Sequence, residues 1–150
     1  MKILVCGGAG FIGSTFIRNF LKNNIDSKIT NLDALTIGSN LANLKDLENN
    51  QNYNFVKDDI RNGTKINDLI KDTDLVVNFA AESHVDRSIA NPKPFIETNV
   101  LGTYTILEGI RKHDKQFIHV STEELYGDAG DQDSFNEKSI LKPSIPYSAT

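Results

Sequence analysis

A single cysteine, Cys6, stands among the 150 residues, so no disulfide can form within the chain and no cysteine pair is present for a zinc site. Tryptophan is absent and methionine occurs once. No apolar run approaches the roughly 18 residues that a bilayer-spanning helix needs. The opening run, Met1 to Cys6, turns at once into glycines and lacks the apolar core and cleavage site of an export signal. Positive charge is in the minority, with 16 Lys+Arg against 20 Asp+Glu and a net charge of −4. That balance argues against nucleic acid or an anionic membrane surface as the main partner. No repeat, low-complexity tract or Pro/Gly-rich linker divides the chain. The histidines His84, His113 and His119 share no metal-site spacing. The acidic stretch Asp128 to Asp133 lacks the spacing of a calcium-binding EF-hand and reads as a loop, so no metal is expected. The expectation from these absences is a cytoplasmic protein of one domain.

What is present is ordinary for a folded domain: 39% hydrophobic and 24% charged residues, which excludes wholesale disorder. Apolar strand-like runs alternate with helical periodicity. Strands are expected at Lys2 to Cys6, Lys28 to Asp33, Tyr53 to Lys57, Asp74 to Ala80 and Gln116 to Ser121. Helices are expected after Gly10, around Leu41 to Leu47, after Asp59, and from Pro94 to about Lys112, where Phe95, Leu101, Tyr104, Leu107 and Ile110 recur on one face. This alternation predicts an α/β fold of the Rossmann type, a doubly wound parallel sheet with helices on both faces. Pro146 reads as the opening of one more helix at Tyr147. The chain stops inside that helix, so it is expected to be the N-terminal dinucleotide-binding part of a longer protein, with a C-terminal substrate domain missing.

Gly8-Ala9-Gly10-Phe11-Ile12-Gly13 matches G-x-G-x-x-G. It follows a predicted strand, opens a predicted helix, and is followed 20 positions after Gly13 by an acid, Asp33. Gly8 permits a tight turn, Gly10 lets the backbone approach a pyrophosphate, and Gly13 allows close packing of helix on strand. The free N–H groups and dipole of the helix start would hold the phosphates. Asp33 can accept hydrogen bonds from a ribose diol and would repel a 2′-phosphate, which favours NAD over NADP. The plainer alternative is a structural glycine turn with a surface aspartate.

With Gly7 the pattern becomes G-x-x-G-x-x-G, and here the chain resembles the extended short-chain dehydrogenase/reductase superfamily. Further segments narrow the resemblance to nucleotide-sugar 4,6-dehydratases of the dTDP-glucose type. They are Asp33-Ala34-Leu35-Thr36, Asp59-Ile60-Arg61, Asn78 to Ser88, Glu97 to Thr103, His119 to Gly127 and Pro146-Tyr147-Ser148. The resemblance implies NAD contacts from Gly7, Gly10, Gly13, Leu32 and the backbone of Phe11 and Ile12. It places Asp33, Ala34 and Leu35 along the adenosine ribose, and Asp59 and Ile60 at the adenine amino group. Phe79, Ala80 and Ala81 would make room for the nicotinamide riboside, Thr98 would lie near the cofactor, and Ser83 would reach both cofactor and sugar. Without the resemblance, Asp59 reads better as a helix N-cap.

The resemblance also implies the chemistry. In this superfamily Tyr147 would belong to a Tyr-x-x-x-Lys pair, whose lysine falls at the next position beyond Thr150. Tyr147 would take a proton from the sugar O4 while hydride leaves C4, and Thr122 would bind that oxygen. Glu124 would act as base at C5 and Glu123 as acid toward the C6 hydroxyl, one ionised and the other protonated. The usual run in the family is Thr-Asp-Glu; Thr122-Glu123-Glu124 is one methylene longer at its middle residue, a change that can misplace a catalytic group by about 1 Å. The alternatives are a UDP-sugar 4-epimerase or decarboxylase of the same fold, and a non-catalytic NAD-binding module. The 150 residues alone are expected to bind NAD weakly. In the family the helix after Pro94 commonly joins a homodimer interface.

Overall fold

The computed structural model describes residues 1–130 and 134–150; positions 131–133 of the acidic stretch lie outside the described residues. Five parallel strands form one sheet: β1 (Lys2–Cys6), β2 (Lys28–Asp33), β3 (Tyr53–Lys57), β4 (Leu75–Asn78) and β5 (Gln116–His119), in the order β3-β2-β1-β4-β5. The three strands at one side begin and end as the apolar runs predicted. β4 and β5 are shorter than expected, because Phe79 to Ala81 and Val120 to Ser121 leave the ladder to line a cavity.

β1 sits at the centre and is apolar on both faces, as a strand covered on both sides must be. Leu4 and Cys6 point into one cluster with Leu32, Val76, Ile66, Ile70 and Ile106. Ile3 and Val5 point into the other with Ile17, Leu21, Ile29, Leu44 and Val77. The second cluster is roofed by α1 (Phe11–Asn23) and by a 3-10 segment at Leu41–Leu47, which breaks at Leu44. The first is roofed by α2 (Gly63–Lys71) and α5 (Thr103–His113). Cys6 is fully buried, and burial with the nearby Asp33 charge pushes its thiol up to about 12. It is the inert core thiol expected of a central strand.

Between β4 and β5 lie α3 (Val85–Ala90), α4 (Lys93–Phe95), a π-helical segment (Ile96–Gly102) and α5. Helical backbone runs without interruption from Lys93 to His113, so the single predicted helix is present with a widened turn inside it. Gly102 and Gly109 bring this helix onto Ile60 and Ile70, where a side chain would collide. Residues 146–149 form a single turn, with the Ala149 amide donating to the Ile145 carbonyl and the Thr150 amide to the Tyr147 carbonyl, both at 3.1 Å. No helix among the described residues is long and apolar enough to cross a membrane, and no cluster among them could hold a metal.

Candidate functional site

Strand order reverses between β1 and β4, and open α/β sheets bind ligands beyond the carboxyl ends of the strands at such a point. A cavity of about 560 Å³ occupies that place. Its floor is the turn from β1 to α1. The left-handed residue of this turn is Gly7 (φ 76°), not Gly8 as the motif suggested. Gly8 is needed for room instead, since a Cβ there would strike the Asn31 side chain. A Cβ on Gly13 would run into the Gly7 carbonyl, which is why the helix can start so close to the strand. A Cβ on Gly10 would meet only that same carbonyl, at 3.5 Å, and would otherwise stand in the cavity.

Gly10 caps α1 without a side-chain hydrogen bond, and the first turn holds no acid. Its backbone amides and the positive end of the dipole are therefore free for an anion. The Phe11 and Ile12 side chains are exposed around this turn. The turn is locked from outside. Ala9's carbonyl accepts from the Asn40 amide (3.0 Å) and the Asn43 side chain (3.0 Å). Arg18 on α1 grips the Asn43 carbonyl and Asp46 of the same segment.

Asp33, at the end of β2, is 4% exposed and is not a surface aspartate. Its Oδ2 accepts from the Ala9 amide (2.9 Å) and its Oδ1 from the Leu35 amide (2.8 Å). Each oxygen keeps one lone pair free for a ligand hydroxyl. Leu32 and Ala34 line the cavity as expected, with Thr36 to Ser39 beyond them. Leu35 does not line it; it takes a left-handed conformation (φ 56°) and contributes only its amide to Asp33.

Asp59 and Ile60 form the far wall. Asp59 does not cap α2, because Asn62 does, accepting from the Lys65 amide. Asp59 is instead forked by Arg61, which holds its carboxyl below the usual range mainly through that hydrogen bond.

Phe79, Ala80, Ala81 and Ser83 follow β4 into the cavity, and Thr98 faces it from the π segment. Two asparagines that the motif reading passed over set this edge. Asn78, fully buried, accepts the Ala80 amide on Oδ1 (3.1 Å) and donates to His119 Nδ1 (3.2 Å). Asn99 treats Glu82 as a strand neighbour would, accepting its amide and donating to its carbonyl, both at 2.9 Å. Its second N–H reaches Thr150 Oγ1 (3.0 Å), whose own hydroxyl donates to the Tyr147 carbonyl. The one available signal was a polar residue ending an apolar strand at Asn78 and interrupting an apolar helix at Asn99.

Tyr147 lines the cavity with its ring against buried Phe95, edge-on at 6.4 Å. Thr122, Glu123 and Glu124 are not brought to the wall; Val120 and Ser121 are. Thr122 caps the 3-10 turn at Glu123–Tyr126, accepting the Glu124 amide (3.2 Å) and donating to Glu123 across a long 3.4 Å. The local cap holds this trio outside the cavity that Tyr147 and the glycine turn share. Tyr126 stacks on Phe135 and Gly127 turns the chain.

The residues fit a dinucleotide: open helix-start amides for the phosphates, a buried carboxylate for a ribose, and small residues at the far strand end. Comparison with known proteins agrees. The family model described as GDP-mannose 4,6 dehydratase matches residues 4–150. A dTDP-glucose 4,6-dehydratase of Mycobacterium tuberculosis is 45% identical over 152 residues, spanning 100% of this chain and 45% of that protein. A low-salt glycan biosynthesis protein of Haloferax volcanii is 49% identical, over 100% of this chain and 48% of its own length. The crystal structure of a Streptomyces venezuelae dTDP-glucose 4,6-dehydratase double mutant, solved with NAD bound, superposes with a TM-score of 0.95 at 42% identity, covering 99% of this chain and 48% of that one. The chain thus spans about half the length of the curated relatives it matches.

Proposed function

Because the chain belongs to the GDP-mannose 4,6-dehydratase family, we propose that the natural protein is an NAD-dependent nucleotide-sugar 4,6-dehydratase acting on dTDP-glucose. The observation that carries this reading is the cavity at the strand-order reversal, where open amides of the glycine turn, buried Asp33 and Tyr147 meet around one space. The choice of sugar rests on the dTDP-glucose dehydratases among the relatives.

Gly7, Gly10 and Gly13, with the amides of Phe11 and Ile12, would hold the pyrophosphate. Leu32, Asp33 and Ala34 would hold the adenosine ribose, and Asp59 and Ile60 the adenine. Leu35 contributes indirectly, by fixing Asp33. Phe79, Ala80, Ala81, Ser83 and Thr98 would enclose the nicotinamide end. The chemistry that a bound nicotinamide supplies is reversible hydride storage between C4 and C6 of the sugar. Tyr147 would take the O4 proton, its ring kept in place by Phe95. Thr122 would exchange its long bond to Glu123 for one to O4, which also frees the Glu123 carboxyl. Glu124 would then remove the C5 proton, while Glu123 delivers a proton to the C6 hydroxyl, which leaves as water. Both glutamates must swing toward the cavity for this step.

Incubating the natural-length protein with dTDP-glucose should give the 4-keto-6-deoxy sugar nucleotide. An epimerised sugar without keto product would establish the 4-epimerase reading instead. Bound NAD with no sugar turnover would establish the non-catalytic one.

A homodimer belongs to the same proposal. Ile96, Val100, Leu101, Tyr104 and Leu107 are exposed along the helix from Lys93 to His113, a second apolar face beside the buried one of Phe95 and Ile106. Equivalent stripes on two copies pair about a two-fold axis. A cytoplasmic site of action fits a lone buried thiol, which a reducing compartment leaves unmodified.

A further inference from the structure

The strongest cluster outside the glycine turn and the Tyr147 region is a chain of charges at the far end of the cavity. Arg61 lays Nε on Asp59 Oδ1 (3.0 Å) and Nη2 on Asp59 Oδ2 (2.7 Å). The Arg61 backbone amide adds a third donor to Oδ1 (2.9 Å). The remaining guanidinium nitrogen, Nη1, reaches Glu97 Oε2 on the π segment (3.1 Å), and Lys93 stands 3.7 Å from the other Glu97 oxygen. Asp59, Arg61 and Glu97 all line the cavity.

An ionised carboxylate offers about four lone-pair positions. Arg61 occupies three of those on Asp59, two at Oδ1 and one at Oδ2. A single acceptor position remains, on Oδ2, and the fork fixes its direction. Glu97 holds the arginine from the opposite side, so the guanidinium cannot swing away with Asp59. Half-exposed ion pairs of this kind add little to folding stability. Their effect is geometric, because a guanidinium fork sets a carboxylate plane as an ammonium cannot.

We propose that Arg61, anchored by Glu97, is a positioning residue that turns Asp59 into a one-acceptor reader of the cofactor's base. It selects a purine with an exocyclic amino donor over one with an oxygen at that position. The proposal rests on the NAD reading of the cavity. An amino group fills the one open position, whereas a keto oxygen there faces a carboxylate oxygen whose direction it cannot change.

The test measures the dissociation constants of NAD and of its hypoxanthine analogue by calorimetry, on the natural-length protein and on Arg61→Lys, Arg61→Met and Glu97→Gln. The unaltered protein should prefer NAD. Arg61→Met should lower that preference by about tenfold, the size of one charge-assisted hydrogen bond, through weaker NAD binding with the analogue unchanged or improved. Arg61→Lys should not restore it, and Glu97→Gln should lower it less. Far-ultraviolet circular dichroism establishes that each variant is folded. A preference that survives Arg61→Met, including through equal weakening of both nucleotides, or one that lysine restores, overturns the role of Arg61 while the cofactor reading stands. An unaltered protein that binds both nucleotides equally overturns the selection by Asp59 while the cofactor reading stands, and one that binds neither overturns both.

Discussion

Gly10 and Gly13 sit three residues apart in one motif, yet the structure gives them opposite jobs. A methyl group on Gly13 collides with the Gly7 carbonyl, so Gly13→Ala should cost about 2–4 kcal/mol of stability in urea unfolding. A methyl on Gly10 has nothing but that carbonyl at 3.5 Å, and the backbone there (φ −74°, ψ 175°) suits any residue. Gly10→Ala should therefore change stability by no more than about 1 kcal/mol while weakening NAD binding at least about tenfold by calorimetry. The reverse pattern would assign the cavity floor to folding alone. His119 carries a pH dependence. It accepts from Asn78 through Nδ1 at the edge strand, and partial desolvation of its ring lowers its pKa from the ordinary value near 6.5, although the residue as a whole is exposed. As pH falls below about 6.5 the unfolded chain takes up a proton that the folded chain refuses, so stability declines with falling pH until folded His119 titrates too. Urea unfolding between pH 7.5 and 5.5 should show this slope, and His119→Gln should make it shallower.

The helix from Lys93 to His113 shows at element scale what a sequence can and cannot disclose. Its existence was legible from apolar spacing, and its start from Pro94. Its widened turn was not, because a π segment keeps nearly the same apolar pattern while shifting the face by part of a turn. Phe95 and Leu101, read as sharing one face, lie about 120° apart around even an ideal helix, and they end up on different faces: Phe95 is 1% exposed and Leu101 52%. The widened turn points Thr98 into the cavity and Asn99 at the Glu82 backbone. β1 and β4 were legible for a different reason: a strand covered on both faces reads as a short apolar run, whereas β2, β3 and β5 carry polar residues within them and were legible from their alternation with helical periodicity. Asn99→Ala would strip the Glu82 amide and carbonyl of their partners and release Thr150. It should cost about 2 kcal/mol, and it should lower kcat in the natural-length protein more than it raises KM, because Ser83 and Tyr147 lose their common tie. Phe95→Ala should cost about 3–4 kcal/mol by leaving a cavity under Tyr147.

At the scale of the whole molecule, the site is assembled from segments as far apart in the chain as Gly7, Asp33, Asp59, Ala80 and Tyr147. No local pattern brings these together; only the strand order β3-β2-β1-β4-β5 does, by placing the ends of β1 and β4 side by side. The glycine motif located the floor, and the family resemblance located most of the walls. Asn43, Asn78 and Asn99 stayed hidden because their value lies in hydrogen-bond partners distant in sequence. The trio Thr122, Glu123 and Glu124 was legible as residue types, but its distance from the cavity was not, since a short cap decided it. The same long-range view bears on assembly. Among the described residues, α2 and the sheet cover only the face of Ile106 and Gly109, which leaves the second apolar face of this helix exposed. Ile96, Val100, Tyr104 and Leu107 recur at four, four and three residues, which keeps them in one continuous stripe. Replacing Val100 and Tyr104 with aspartate puts two charges in the middle of that stripe in each copy, four across a two-fold interface, and burying them unpaired is prohibitive. The natural-length protein should sediment as a dimer, and the double variant as a monomer at the same concentration. Its NAD affinity should be unchanged, because neither side chain lines the cavity. A variant that stays dimeric would move the interface elsewhere on the molecule.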